Sequence, residues 1–183
     1  MGYRPEFEAA LRMFAKVSEA MARRGYTRPV LVGGAAAEFY TASAISTLDF
    51  DVCCIADHIL GEILVDHGFI RPTALGHTAM GRVHPELRMG FEIVADVPMD
   101  GAIRPEYLVL VENFEPDAAF VTISVEDLIA DRIGQFASGT ANDRLAQARE
   151  LYRLNPDCDM AYLDRRIRQE SMGDHGVEIL EHE

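Results

Sequence analysis

The chain has 183 residues, 49% apolar and 26% charged, and a formal net charge of −13. This is enough for one domain with a sizeable core, with no apolar run long enough to span a bilayer and no charged-then-apolar leader in Met1-Gly2-Tyr3-Arg4-Pro5-Glu6. An odd cysteine count with two adjacent (Cys53, Cys54, Cys158) argues against a disulfide framework and for a reducing, cytoplasmic setting, and so acidic a chain disfavours nucleic acid as a partner unless a local basic face exists.

Taken in order, the first segment predicts a helix over Pro5 to Arg24. Phe7, Leu11, Phe14, Val17 and Met21 recur at helical spacing, with Gly25 as the stop. Val30-Leu31-Val32 reads as a short buried strand ended by Gly33-Gly34, and Ala35 to Tyr40 as helical. Thr41 to Thr47 is a polar linker and Leu48 to Ile55 a second strand. Asp57 is placed to cap a helix to about His67, closed by Gly68. Phe69 to Arg88, with several glycines and two prolines, is irregular and expected to hold hairpin strands. Strands follow at Phe91–Val97, Leu108–Val111 and Ala119–Ile123. Helices then dominate: one opened by Ser124 with Asp127 three residues on, one near Asn142–Leu154, and one near Asp159–Gln169. Met172 to Glu183 is acidic and expected to fray. The division that results is a core over 1–123, a helical part over 124–170 and a flexible tail over 171–183. The fold class is α/β (α+β): a small mixed sheet with flanking helices, followed by a helical C-terminal part.

Chemistry concentrates in Val30 to Val52. Glycines at a strand end let a ligand approach the backbone closely. A helix starting there directs free N–H groups and a positive dipole end at an anion. Residues two apart on a strand share a face, so Asp49 and Asp51 point the same way while Phe50 and Val52 enter the core. Two such carboxylates can hold one or two Mg²⁺ ions. Two metals about 4 Å apart serve both oxygens of a phosphoryl displacement.

Val32-Gly33-Gly34, a spacer, then Asp49-Phe50-Asp51-Val52 resembles the signature of minimal nucleotidyltransferases of the DNA polymerase beta-like superfamily. Within it the chain is similar to uncharacterised bacterial proteins and to nucleotidyltransferase partners of toxin–antitoxin pairs, in which Tyr40, Thr47, Asp49 and Asp51 find matches. Ile45 stands where those proteins carry arginine. A second stretch is also similar: Ser124 to Ile129, Asp131-Arg132, Asp143-Arg144 and Gln147-Ala148. The resemblance implies a nucleotidyltransferase-like fold and transfer of a nucleoside monophosphate from a nucleoside triphosphate with Mg²⁺ or Mn²⁺. It also implies an acid between apolar residues on a later strand: Phe91-Glu92-Ile93 fits, and Ala95-Asp96-Val97 nearly so. Asp49, Asp51 and Glu92 are the expected catalytic and metal residues, with Asp96 the alternative to Glu92. Gly33, Gly34, Thr47 and Arg132 are the expected nucleotide contacts. The acceptor stays open, and a partner protein, toxin or antitoxin, is a candidate. The alternative is a non-catalytic nucleotide-binding or antitoxin-like module of the same fold.

Plainer readings stand beside these. Gly-Gly after a strand also makes a simple turn, and Asp-x-Asp a solvated strand end; but acids set within Leu48, Phe50, Val52 and Ile55 need partners. Cys53 and Cys54 read as core residues. His77 and His84 are weak metal candidates without a third ligand. Arg132 serves equally as a salt-bridge partner within the helical layer. Asp127 and Asp131, one turn apart, require a cationic partner or water for at least one of them. The arginines from Arg144 to Arg168 read as solvated faces of acid-rich helices.

Overall fold

The computed structural model describes residues 2–71 and 81–181. Its centre is a six-stranded mixed sheet in the order β3-β4-β2-β1-β6-β5. The strands are β1 (Val30–Val32), β2 (Asp49–Cys53), β3 (Arg82–His84), β4 (Met89–Ala95), β5 (Val109–Glu115) and β6 (Ala118–Thr122). The helices are α1 (Pro5–Arg23), α2 (Gly33–Tyr40), α3 (Asp57–Asp66), α4 (Val125–Ala137), α5 (Arg144–Leu154) and α6 (Met160–Glu170). This is the α/β architecture expected from the sequence.

One sheet face and α1 form the core. Proline at the first turn starts α1 without a side-chain cap, and Phe7, Leu11, Phe14 and Met21 are buried along one stripe. They meet Phe50 and Phe91, which stack on neighbouring strands with ring centroids 4.8 Å apart. Phe7 lies 5.4 Å from Phe50, and Phe14 lies 5.7 Å from Phe120. Because side chains alternate along a strand, burying Phe50 and Val52 turns Asp49 and Asp51 to the opposite face. β2 runs antiparallel to β1 and parallel to β4.

Several boundaries move. α2 begins at Gly33 itself rather than Ala35, and Asp57 is the first residue of α3, after an uncapped Ala56. Of the hairpin strands expected within Phe69–Arg88, the described residues hold β3, which pairs with β4 beyond that range, and Ile70 bridging Val83; His77 lies outside the described residues. His84 is buried and its Nδ1 accepts the Leu87 N–H at 3.3 Å, a structural use. β4 starts and ends two residues before the expected strand. The final segment does not fray within the described residues. Val177–Leu180 form a 3-10 turn, Leu180 is buried, and Arg149 donates to the Ile179 carbonyl. No described helix is long and apolar enough to cross a membrane.

The helical part is held by a buried ion pair. Asp127, fully buried on α4, accepts from Arg166 Nε of α6 at 2.6 Å, from the Tyr162 hydroxyl at 2.9 Å and from the Ser124 hydroxyl at 2.9 Å. Asp131 meets Arg132 and Gln135 instead, so both acids of that turn are partnered. Of the C-terminal arginines expected on solvated faces, Arg153 pairs with Glu150 and Arg168 with Asp164 on their own helices, whereas Arg166 is buried, Arg149 reaches the Ile179 carbonyl and Arg144 donates to Gln135 of α4. Breaking a buried pair on one side strands a charge, at about 3–5 kcal/mol. Arg166→Met is therefore expected to lower unfolding free energy by about that amount in urea titrations. Asp127→Asn/Arg166→Met should cost less than the two single losses combined, because neither charge is then left alone.

Candidate active site

A cavity of about 540 Å³ opens where β1 hands over to α2. Its wall includes Gly33, Gly34, Thr47, Asp49, Asp51, Cys53, Val94, Met99, Asp131, Arg132, Gln135, Arg144 and Gln147. Thus two stretches about a hundred residues apart in sequence converge on one hollow. A hollow of about 580 Å³ beside α3 includes Glu62 and Asp66; Arg24 engages both.

Gly33 has φ +63°, which disfavours any side chain, and a Cβ there would collide with the Asp51 carboxylate. A Cβ on Gly34 would lie 2.6 Å from the Thr47 hydroxyl, and one on Gly90 2.7 Å from an Asp49 carboxylate oxygen. Three glycines therefore make room for Asp51, Thr47 and Asp49 in turn. The Gly34 N–H, at the start of α2, faces Asp51 closely enough to favour its charged form. Thr47 Oγ1 spans the Asp49 backbone, 3.4 Å from its N–H and 3.3 Å from its carbonyl.

Burial raises the Asp51 pKa, the Gly34 N–H opposes that rise, and the charges of Asp49 and Glu92 add to it. Glu92 is the direct register partner of Asp51 on β4, which sets it on the same sheet face, although it does not line the cavity. After Ile93 the pairing slips: Cys53 pairs with Ala95 and Val94 bulges. The expected alternation of Glu92, Val94 and Asp96 on one face therefore breaks. Val94 and Ala95 line the cavity, while Asp96 lies beyond the strand end, exposed. Among the described residues, no group of three or more His, Cys, Asp or Glu side chains is arranged to hold a metal.

Arg132 is 4% exposed, and its Nε has no hydrogen-bond partner. Its Nη1 donates to Asp131 at 2.8 Å, so it is both a salt-bridge partner and a cavity residue. Desolvation lowers its basicity most; Arg144 acts in the same direction, while Asp131, Asp51 and Asp143 oppose it. Gln135 links Asp131 to Arg144, donating to the former at 2.8 Å and accepting from the latter at 3.0 Å. A buried, partly unpaired guanidinium on a cavity wall suits a phosphate oxygen. Cys53 and Cys54 are buried core thiols, Cys53 pushed up to about 11 by desolvation.

Gly90 and Glu38 escape a reading by motif. The available signal for Gly90 is a glycine inside a strand, which marks close approach. For Glu38 it is one acid in an alanine-rich helix, fully buried in the fold.

The Asp51 shift has a direct consequence. A carboxyl whose folded pKa is raised binds more protons folded than unfolded, so stability falls as pH climbs through the window above the ordinary aspartate value. Without ligand, Asp51→Asn should therefore be more stable than the parent at pH 7. The gain should vanish below about pH 4, as measured by urea midpoints across pH.

No protein-family model and no curated protein sequence matches the chain. Among solved structures it is similar to an antigenic nucleotidyltransferase-like protein from Paracoccidioides brasiliensis: 14% identity, TM-score 0.59, over 94% of this chain and 90% of that one. At that identity the likeness speaks for the fold: the chain has the nucleotidyltransferase-like fold.

Proposed function

We propose that the protein transfers a nucleoside monophosphate from a nucleoside triphosphate to an acceptor, using a divalent metal. The observation that carries this reading is the meeting, on one cavity, of the Gly33-Gly34 helix start, the Asp49/Asp51 pair and Arg132, a buried guanidinium whose Nε is unpartnered. Each feature alone is common. Together they supply N–H donors and a cation for a polyanion beside oxygen ligands for a hard metal ion.

The residues fit Mg²⁺ or Mn²⁺. Asp49 and Asp51 offer hard oxygens, and a cation would offset both the burial and the neighbouring charges that raise the Asp51 pKa. Mg²⁺ is ordinarily held by one or two carboxylates plus substrate phosphates and water, so two protein acids suffice. When bound, the metal would neutralise phosphate charge and favour the ionised nucleophile.

The chain's own groups do the rest. Gly34 and the first turn of α2 receive phosphate oxygens, and the Arg132 guanidinium takes another. The acceptor oxygen bonds to the α-phosphorus, the bond from that phosphorus to the bridging oxygen breaks, and pyrophosphate leaves. Glu92, abreast of Asp51, accepts the acceptor's proton or completes the metal ligands; Asp96, beyond the strand end, is the alternative. The apolar wall at Val94 and Met99 receives less polar parts of nucleotide or acceptor. The acidic balance favours a protein or small molecule as acceptor over nucleic acid, and a toxin or antitoxin is a candidate partner protein.

Mg²⁺ with ATP or another triphosphate should raise the melting temperature well beyond either alone. Saturation near 100 times Kd corresponds to about 2.7 kcal/mol. Asp49→Asn/Asp51→Asn should abolish that shift while staying folded; an undiminished shift would place the nucleotide elsewhere. For chemistry, labelled triphosphates with Mg²⁺ or Mn²⁺ should label the protein or a component of cell lysate. Glu92→Gln should stop transfer yet keep much of the binding, with Asp96→Asn milder; the reverse order would exchange their roles. Tight binding with no transfer to any acceptor would support a regulatory, antitoxin-like module instead.

A further inference from the structure

Glu38 lies in α2 after three alanines, and its side chain is fully buried. A carboxylate so placed must be paired and hydrogen-bonded, and its partners converge on one short stretch. Oε1 accepts from Arg4 Nε at 2.5 Å and from the Ser43 hydroxyl at 2.8 Å. Oε2 accepts from Arg4 Nη2 at 3.0 Å and from the Thr47 N–H at 2.7 Å. Arg4 also donates to the Thr47 carbonyl, and its own N–H reaches Ser43 Oγ at 3.1 Å. Thr47 is therefore gripped at both its N–H and its carbonyl by one ion pair. Its hydroxyl closes on Gly34 and spans the Asp49 backbone.

We infer that Arg4 and Glu38 are positioning residues for the triphosphate site, acting through Thr47; this rests on the nucleotide reading above. Neither lines the cavity, whereas Thr47 does. Replacing a buried ion pair with apolar residues of similar volume is often neutral for stability, so a pair built around one rim residue has its effect in geometry. Arginine is required because its planar fork serves Glu38 and the Thr47 carbonyl together, whereas lysine offers a single ammonium. The clamp sets the spacing between the α2 start and the aspartate strand, which is the gap that a metal-bound triphosphate must bridge.

The test uses the full chain and the ribonucleoside triphosphate that the parent binds most tightly with Mg²⁺, titrated calorimetrically at low temperature. Arg4→Lys keeps the charge, and Arg4→Met/Glu38→Met removes the pair without stranding a buried carboxylate, so both should stay folded by circular dichroism. Each is expected to weaken Mg²⁺–triphosphate binding about tenfold, as is Thr47→Val, and Arg4→Lys/Thr47→Val should be no weaker than the worse single variant. Unchanged affinity in the folded variants, or losses that multiply, would overturn the inference: a pair that merely holds the fold moves the melting temperature alone. If the parent binds no triphosphate, the nucleotide reading fails separately, and amide hydrogen exchange then decides. Loss of protection over residues 43–48 in Arg4→Lys, with α1 and β2 unchanged, supports the clamp; unaltered protection there overturns it.

Discussion

Gly33 and the Asp51 carboxylate claim adjoining space at the junction of β1 and α2, and only a residue without a side chain leaves that space open. The left-handed φ of Gly33 turns the chain from strand into helix within one residue. That turn sets the start of α2 beside the Asp51 carboxylate, where the Gly34 N–H favours the charged form. β1 and β2 are joined in antiparallel register, Val32 opposite Asp51, so sheet pairing delivers the aspartates to the helix start.

The remainder of the sheet serves that junction. Phe50, Val52 and Phe91 anchor the middle strands in the aromatic core beneath α1. Side chains of opposite parity are forced to the open face, where Asp49, Asp51 and Glu92 gather their charge. Burial first, and then the charges of Asp49 and Glu92, raise the pKa of Asp51, a cost that the fold bears. On the far wall, Arg132 is buried with an unsatisfied Nε. The cavity thus holds excess negative charge on one side and an incompletely paired cation on the other, the polarity that suits a metal-bound polyphosphate.

The helical part contributes to both stability and site. The Asp127–Arg166 pair ties α4 to α6 and also touches Met99 on the cavity wall through Arg166 Nη2, 3.5 Å from the sulfur. The segment from Val97 to Leu108, with Met99, Asp100 and Gly101 all at positive φ, is pinned by that contact and by Tyr107 stacking on Tyr162 at 4.1 Å. The helical part therefore does more than cover the sheet: it supplies Arg132 and holds the loop that forms the opposite rim.

The sequence by itself determined the fold class, most element positions, and the pairing of a Gly-Gly helix start with an Asp-x-Asp strand. Those features are written locally: helical spacing in Phe7 to Met21, strand parity in Asp49 to Val52, and glycine where the backbone must bend. Tertiary structure alone decided the features that depend on distant partners. Arg4 and Glu38 are 34 residues apart, and nothing in either segment announces the other. Gly90 is needed because β4 lies parallel to β2 and sets it beside Asp49. The bulge at Val94 follows from how two strands fit, so parity read along one strand could not foresee that Asp96 leaves the shared face. The last residues looked too polar to order, yet Leu180 finds a buried place and Arg149 a carbonyl to hold. Local pattern determines what a segment can become; which side chains meet is set by the packing of whole elements, where burial must be matched by hydrogen bonds and charge by charge.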